Sequence, residues 1–196
     1  VKPDNKTALS PLYGVQLLEQ AGLPKGLFQV VCGEGGDVGP TLIDNANYVM
    51  FTGSTATGRV IGERAGRNLI GACLELGGKN PMIVLDDVNV EEWLDGASFG
   101  VFGNTGQICM HIERIYLPEE RYAELRDAFV ARAASMKIGA AYDFGPEIGS
   151  LISPDHRDRV ASHVEDAVAK GATVLTGGRA RPDIGPAFFE PTVLEG

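Results

Sequence analysis

The 196-residue chain has 26 acidic and 17 basic side chains, a formal net charge of -9, and 44% hydrophobic residues. This composition is typical of a soluble globular protein of one or two domains. It argues against nucleic-acid binding, which needs a basic surface, and the absence of about 18 consecutive apolar residues argues against a membrane-spanning helix. We also expect no signal peptide.

Cysteine and histidine usage points to a reducing compartment and to no metal site. The three cysteines, Cys32, Cys73 and Cys109, form neither a CxxC pair nor an even disulfide set. The three histidines show no metal-ligand spacing relative to these cysteines. We therefore expect a cytoplasmic protein without bound zinc.

The first part of the chain alternates predicted helices and strands. Apolar residues recur at helical spacing up to Gly22 and Pro24, a pair that typically follows a helix end. The predicted elements are helices at 7–21, 39–43 and 57–69 and strands at 28–31, 48–51 and 72–76. This alternation predicts a parallel sheet covered by helices.

The second part continues the same alternation. Its predicted elements are strands at 81–85 and 115–117, helices at 90–102 and 119–136, and a helix that starts at Ser153 and Pro154 and ends at Gly171. We expect the apolar stripes of these helices to be core. Because no Pro- or Ser-rich linker interrupts the chain, a short hinge near Gly77 and Gly78 is the predicted domain boundary.

Two segments carry groups with catalytic potential. Residues 103–109 (GNTGQIC) place the Cys109 thiol behind a glycine-rich turn, and residues 74–79 (LELGGK) place the Glu75 carboxylate between two leucines. A catalytic cysteine reacts as its thiolate, which is a minor species at neutral pH without a local donor or dipole. We expect poor solvation to favour the neutral form of Glu75, which suits a general base. The alternative is that Cys109 is a small buried apolar residue.

A third segment, residues 51–59 (FTGSTATGR), predicts a strand, a tight turn and a helix start. Such a turn lets the backbone approach a pyrophosphate and directs free N–H groups and the helix dipole at it. The spacing from Gly53 to Gly58 differs from the G-x-G-x-x-G fingerprint. An ordinary strand-to-helix connection is therefore the alternative reading of this segment.

As ordered strings, residues 51–59, 74–81 and 106–109 resemble the signatures of the NAD(P)-dependent aldehyde dehydrogenase superfamily. The resemblance extends from 1–3 (VKP) to 188–192 (FFEPT), and the flanking sequence is most similar to the succinic semialdehyde dehydrogenase branch. It implies an α/β fold, with a parallel Rossmann-like cofactor sheet at 1–76 and an α/β catalytic domain at 77–196. Family chains are much longer, so we expect this chain to be incomplete at both ends.

The resemblance implies that Cys109 attacks an aldehyde, that hydride passes to NADP or NAD, and that Glu75 activates the water that hydrolyses the thioester. It further implies that the Cys109 N–H and a side-chain amide from outside this chain hold the oxyanion. Gln107 is expected to shape the turn and Glu113 to pair with Arg114. Cys32 and Cys73 are expected to be packing residues.

The cofactor contacts that the resemblance implies are the ribose-binding Lys2, the adenine-side Gly33, and Gly53, Ser54, Gly58 and Leu76. Asn5 stands where many NAD-preferring relatives carry a glutamate. Loss of that carboxylate, with Lys2 and Lys6 nearby, favours a 2′-phosphate and hence NADP. The alternative is that Asn5 hydrogen-bonds the ribose of NAD.

Two functions of different class follow. The first is oxidation of a small-molecule aldehyde, best matched by an acid semialdehyde such as succinic semialdehyde, in a full-length subunit that forms a homo-oligomer. The second is an inactive fragment or family member that serves as a nucleotide-binding or structural protein. Retention of Cys109, Glu75 and the Gly53 turn favours the first.

Overall fold

The computed structural model describes residues 1–141, 143 and 145–196, which form two compact units, Val1–Gly77 and Gly78–Gly196. Both units are α/β, and parallel strand pairs occur in each. The assignment of one unit to the cofactor domain and of the other to the catalytic domain stays a prediction. Within the described ranges, no helix has the length and apolar character needed to cross a membrane.

The first unit contains one parallel strand pair with a helical crossover. Its elements are α1 (Leu9–Gln20), α2 (Gly35–Asp44), β1 (Tyr48–Thr52), α3 (Thr55–Arg67) and β2 (Gly71–Glu75). Strands β1 and β2 pair from Tyr48 opposite Gly71 to Thr52 opposite Glu75. The predicted strand, helix, strand order is confirmed here, and Gly22, at φ 99°, follows the end of α1 as expected.

The predicted strand at 28–31 is wrong. These residues belong to no strand, although the Val31 N–H donates to the Val1 carbonyl over 2.9 Å and the Val1 ammonium donates to the Gln29 carbonyl over 2.6 Å. The helix predicted at 39–43 is longer than expected, because α2 begins at Gly35 and accommodates Pro40.

The second unit has a parallel and an antiparallel strand pair. Its elements are β3 (Asn80–Ile83), α4 (Val90–Phe102), β4 (Ile112–Tyr116), α5 (Tyr122–Ser135), α6 (Pro154–Ala169), β5 (Thr173–Thr176) and β6 (Val193–Glu195). Strands β3 and β4 are parallel with α4 as their crossover, whereas β5 and β6 are antiparallel. The bounds of α4 agree with prediction, and Asn89 caps it by accepting from the Glu92 N–H over 3.2 Å. Strands β5 and β6 are not among the predicted elements.

The core of the second unit lies between α4, α5 and the β3–β4 pair. Its buried members are Val84, Trp93, Ala97, Leu125 and Phe129. The Trp93 and Phe129 rings are 5.8 Å apart between centroids, and the partly buried Val101 and Phe102 extend the packing to the end of α4. The predicted core stripe of α5 is therefore confirmed at Leu125 and Phe129.

Other predicted core stripes are wrong. Helix α6 buries none of its residues, and neither does α1, where Leu9 is 82% exposed. In α3, Ala65 is buried but Val60 is exposed. Among the described residues of the first unit, those that are buried are Pro3, Ile43, Gly58 and Ala65.

Candidate active site

Cys109 lies between the end of α4 and the start of β4, after a turn in the left-handed region. Asn104, Thr105 and Gly106 have φ of 50°, 58° and 70°. This conformation suits glycine, but it strains a β-branched residue such as Thr105, at a cost of about 1–3 kcal/mol. Strain of this kind persists only where the surrounding contacts hold it.

The contacts that hold this turn come from the 149–152 segment. The Thr105 hydroxyl accepts from the Gly149 N–H over 3.2 Å, and the Gln107 side-chain oxygen accepts from the Ile152 N–H over 2.9 Å. The Gln107 amide nitrogen also donates to the Asn104 carbonyl over 3.3 Å. Gln107 therefore shapes the turn, as expected.

Residues 108–111 form a second turn that carries the thiol. The His111 N–H donates to the Ile108 carbonyl over 3.1 Å, and His111 Nδ1 lies 2.6 Å from the same oxygen. The Asn80 amide nitrogen donates to the carbonyls of Cys109 and His111, each over 2.9 Å. Cys109 itself is exposed, so it is not the buried packing residue that the alternative describes.

The backbone N–H of Cys109 has no hydrogen-bond acceptor in the part of the chain that the structure describes. The carbonyl of the same residue is occupied by Asn80, so the two polar groups of the Cys109 backbone differ in what they can still bind. A free N–H beside a thiol can donate to an oxyanion that forms on a carbon bonded to the sulfur.

A bulge in the β3–β4 pair places Glu113 beside this turn. Asn80 pairs with Ile112 and Pro81 pairs with Arg114, which leaves Glu113 without an opposite residue. The Glu113 carboxylate forms an ion pair with Lys79 and lies 3.5 Å from His111 Nε2. The expected pair of Glu113 with Arg114 is therefore wrong.

Glu75 ends β2 in the first unit. Its side chain is exposed, so the expected poor solvation between two leucines is wrong. The reason is the period of a strand, in which neighbouring side chains point to opposite faces. Leu74 and Leu76 are half-buried while the carboxylate meets solvent, with its Oε1 4.0 Å from the Cys73 sulfur.

The turn between β1 and α3 has the properties of an anion site. Ser54 caps α3 by accepting from the Thr57 N–H over 3.2 Å. The N–H groups of Ser54, Thr55 and Ala56 have no acceptor among the described residues, which is the arrangement that binds a phosphate at a helix start. The Gly53 N–H is occupied, because it donates to the Glu75 carbonyl over 3.0 Å.

The glycines of this turn leave no room for side chains. A Cβ on Gly53 would lie 2.5 Å from the Phe51 ring, and a Cβ on Gly58 would lie 2.5 Å from the Leu76 side chain. The unoccupied N–H groups of residues 54–56 therefore fit the phosphates of a dinucleotide, and Gly53 and Gly58 pack directly against Phe51 and Leu76.

The predicted ribose residues lie together with an acid that the sequence analysis missed. The Lys2 ammonium donates to the carbonyls of Pro3 and Gly33, the latter over 3.1 Å. The Asn5 amide donates to the carboxylate of Glu34. Asn5 was expected to leave this position without a carboxylate, but the neighbouring Glu34 supplies one. Its position next to Gly33 was the available sequence signal.

The remaining cysteines differ from expectation in part. Cys73 is half-buried in β2, but Cys32 is exposed and lies outside any strand, so its expected packing role is wrong. Within residues 1–141, 143 and 145–196, no three His, Cys, Asp or Glu side chains are grouped as a metal ion would require.

The chain is an α/β protein that contains, in one unit, a helix start compatible with a nucleotide and, in the other, an exposed thiol. The chain belongs to the aldehyde dehydrogenase family, whose model matches residues 1–196. It is 50% identical, over 196 residues, to a Mycolicibacterium smegmatis protein named "Putative succinate-semialdehyde dehydrogenase (NADP+)", covering 100% of this chain and 38% of that protein.

Solved structures give the same family. Succinate-semialdehyde dehydrogenase from Burkholderia pseudomallei matches with a TM-score of 0.94 and 37% identity, over 100% of this chain and 41% of that one. The NAD+ complex of aldehyde dehydrogenase from Bacillus cereus matches with a TM-score of 0.93 and 36% identity, over 98% of this chain and 40% of that one. The chain thus spans about two-fifths of the length of these relatives.

Proposed function

We propose that this chain carries the thiol nucleophile and the hydrolytic base of an NAD(P)-dependent enzyme that oxidises an acid semialdehyde, such as succinic semialdehyde, to the dicarboxylic acid. The observation that carries the proposal is the exposed Cys109 on a turn held from two sides, with its own N–H unoccupied. The relative named for succinate semialdehyde, at 50% identity, supports the substrate class.

In the first half-reaction the Cys109 thiolate attacks the aldehyde carbon, and the carbonyl oxygen becomes the oxyanion of a thiohemiacetal. The Cys109 N–H is free to donate to that oxyanion, which stabilises the charge as it develops. The bound nicotinamide supplies the acceptor for the hydride that leaves the same carbon. Collapse of the oxyanion to a carbonyl then leaves a thioester on Cys109.

In the second half-reaction Glu75 accepts a proton from water as the water attacks the thioester carbon. The carbon–sulfur bond breaks, the carboxylic acid leaves and Cys109 is regenerated as the thiolate. An exposed carboxylate at a strand end has access to water, which supports this role.

For the cofactor, we propose NADP or NAD, bound with its pyrophosphate at the N–H groups of residues 54–56 and its adenosine ribose near Lys2 and Asn5. The Glu34 carboxylate beside Asn5 opposes a 2′-phosphate, while Lys2 attracts it. The name of the Mycolicibacterium smegmatis relative supports NADP, and the Bacillus cereus complex shows that a relative of this fold accepts NAD+.

The test is a chimera in which residues 1–196 replace the matching 38% of the Mycolicibacterium smegmatis relative. We expect the purified chimera to reduce NADP+ or NAD+ with succinic semialdehyde, and to prefer it to an uncharged aldehyde of the same length. Residues 1–196 alone are expected to be inactive, because the loss of one oxyanion donor alone costs on the order of 3 kcal/mol. A folded chimera that binds cofactor but oxidises no aldehyde would support the inactive, nucleotide-binding alternative.

A further inference from the structure

The Asn80 side chain contacts the backbone of the turn that carries Cys109 from outside the 103–111 segment. The Asn80 amide nitrogen lies 2.9 Å from the Cys109 carbonyl and 2.9 Å from the His111 carbonyl. Asn80 opens β3, and β3 pairs with β4, which follows the turn directly. The amide therefore ties the turn to the sheet that packs against the core of the second unit.

The chemistry of an amide suits this position. A side-chain NH₂ has two N–H donors, so a single Asn nitrogen can satisfy two carbonyl acceptors, whereas a serine hydroxyl donates once and an aspartate carboxylate does not donate. Gly78 leaves space for this side chain, because a Cβ at Gly78 would lie 3.1 Å from the Asn80 side-chain oxygen.

We propose that Asn80 is a positioning residue that fixes the backbone of Cys109. In that position the thiolate can attack the carbon of an aldehyde carbonyl while the free Cys109 N–H donates to the oxygen of the same carbonyl. The inference rests on the proposed function of Cys109. The two hydrogen bonds restrain rotation of the 109–110 and 111–112 peptide planes. The Cys109 N–H lies in the adjoining 108–109 plane, whose Ile108 carbonyl accepts from the His111 N–H. Asn80 therefore acts on the direction of the Cys109 N–H from the planes on either side of that turn.

The experiment compares Asn80→Leu with Asn45→Leu in the chimera. Asn45 is a matched control, because its amide also donates to one backbone carbonyl, that of Thr41, over 2.9 Å. Three quantities are measured: hydrogen exchange of the His111 amide, the rate of the pre-steady-state burst of reduced cofactor, and cofactor affinity. Melting temperature and iodoacetamide labelling of Cys109 report on folding and on thiol access.

For Asn80→Leu we expect His111 exchange to be at least about tenfold faster and the burst at least about tenfold slower. Cofactor affinity and thiol labelling should stay within about twofold of the parent, because neither needs the exact direction of the N–H. Asn45→Leu should change neither exchange at His111 nor the burst. If Asn80→Leu fails to fold, Asn80→Ser replaces it, with intermediate effects expected from its single donor.

Unchanged His111 exchange in a folded Asn80 variant would overturn the positioning role, and so would an unchanged burst. A parent chimera that oxidises no aldehyde would instead overturn the proposed function, while His111 exchange would still report on Asn80. The two failures are therefore distinguishable.

Discussion

The two units hold their functional turns by different means. In Gly78–Gly196, α4 and β4 pack around Trp93 and Phe129, and the turn between them carries Cys109. In Val1–Gly77, the described residues that are buried are Pro3, Ile43, Gly58 and Ala65, and large apolar side chains such as those of Leu9 and Val60 are exposed. The turn between β1 and α3 is held by the Ser54 cap, by the hydrogen bond from the Gly53 N–H to the Glu75 carbonyl of the paired strand, and by close packing at glycine.

The difference shows that a turn can be held beside an apolar core or, where few residues are buried, by strand pairing and a helix cap. In the first kind of turn, hydrogen bonds from the 149–152 segment hold a conformation that strains Thr105. The second kind needs glycine and a capping serine, which are visible in the sequence. We therefore expect a mutation at the Cys109 turn to lower the rate of aldehyde oxidation without changing cofactor affinity. We also expect truncation of a core residue to lower the free energy of unfolding more than truncation of a surface residue.

The largest expected effect comes from Cys109→Ala in the chimera. Aldehyde oxidation should fall by at least about a thousandfold, because a covalent nucleophile is removed, while the dissociation constant for the cofactor should stay near the parent value. Steady-state rates and nucleotide fluorescence titration measure the two quantities. Cys32→Ala, which removes the other exposed thiol, is the control and should retain activity. Loss of cofactor binding in Cys109→Ala would contradict the expectation that the Cys109 turn and the turn between β1 and α3 act independently.

The contrast in packing predicts unequal costs for two leucine truncations in residues 1–196. Leu125 is 0% exposed, so Leu125→Ala should lower the free energy of unfolding of the second unit by about 2–5 kcal/mol. Leu9→Ala, on the exposed side of α1, should cost less than about 0.5 kcal/mol. Denaturant titration followed by Trp93 fluorescence and by circular dichroism measures both. Equal costs would contradict the contrast between the units.

Glu34→Gln tests the proposed ribose site near Lys2 and Asn5. Removing the negative charge beside Asn5 should raise the affinity for NADP relative to NAD by up to about fivefold, because repulsion of the 2′-phosphate is relieved at an exposed site. The effect should shrink at high salt. Glu63→Gln, which removes an acid paired with Arg67 on α3, is the control and should leave the ratio unchanged. A ratio insensitive to Glu34 would place the ribose elsewhere.

The smallest expected effect concerns the link between α2 and α3. Hydrogen bonds from Arg64 and then Asn68 lower the pKa of Asp44 from 3.8 to about 2. Since the folded pKa is depressed, the Asp44 carboxylate stabilises the fold above about pH 4 and the contribution is lost as pH falls through about 2. The melting temperature of the parent should slightly exceed that of Asp44→Asn above pH 4, and the gap should close by pH 2. A gap that is independent of pH would refute this link.

Part of the fold was predicted from the sequence, since the bounds of α4 and the strand, helix, strand order of the first unit agree with prediction. The Asn89 cap of α4 and the Ser54 cap of α3 were identified only in the structure. The prediction of a strand at 28–31 was wrong because apolar residues do not specify the strand with which a segment pairs. The prediction of poor solvation at Glu75 was wrong because neighbouring side chains of a strand point to opposite faces, so flanking leucines do not cover the carboxylate.

Only those residues of the site that lie within sequence motifs could be predicted. Cys109 and the glycine turns are visible as strings, but the contacts that position them join residues far apart in sequence. Asn80 and Cys109 are 29 residues apart, as are Asn5 and Glu34, and only strand pairing or loop packing brings such residues together. No local propensity encodes those contacts.

Cys109 is proposed to carry the acyl group, and mass spectrometry of the Glu75→Gln chimera after mixing with succinic semialdehyde and oxidised cofactor measures this directly. Slowed hydrolysis should trap one succinyl thioester per active chain on the peptide that contains Cys109, together with a burst of reduced cofactor of the same stoichiometry. Cys32 and Cys73 should remain unmodified in the same digest. A burst without any acyl group on Cys109, or an acyl group on another residue, would contradict the account.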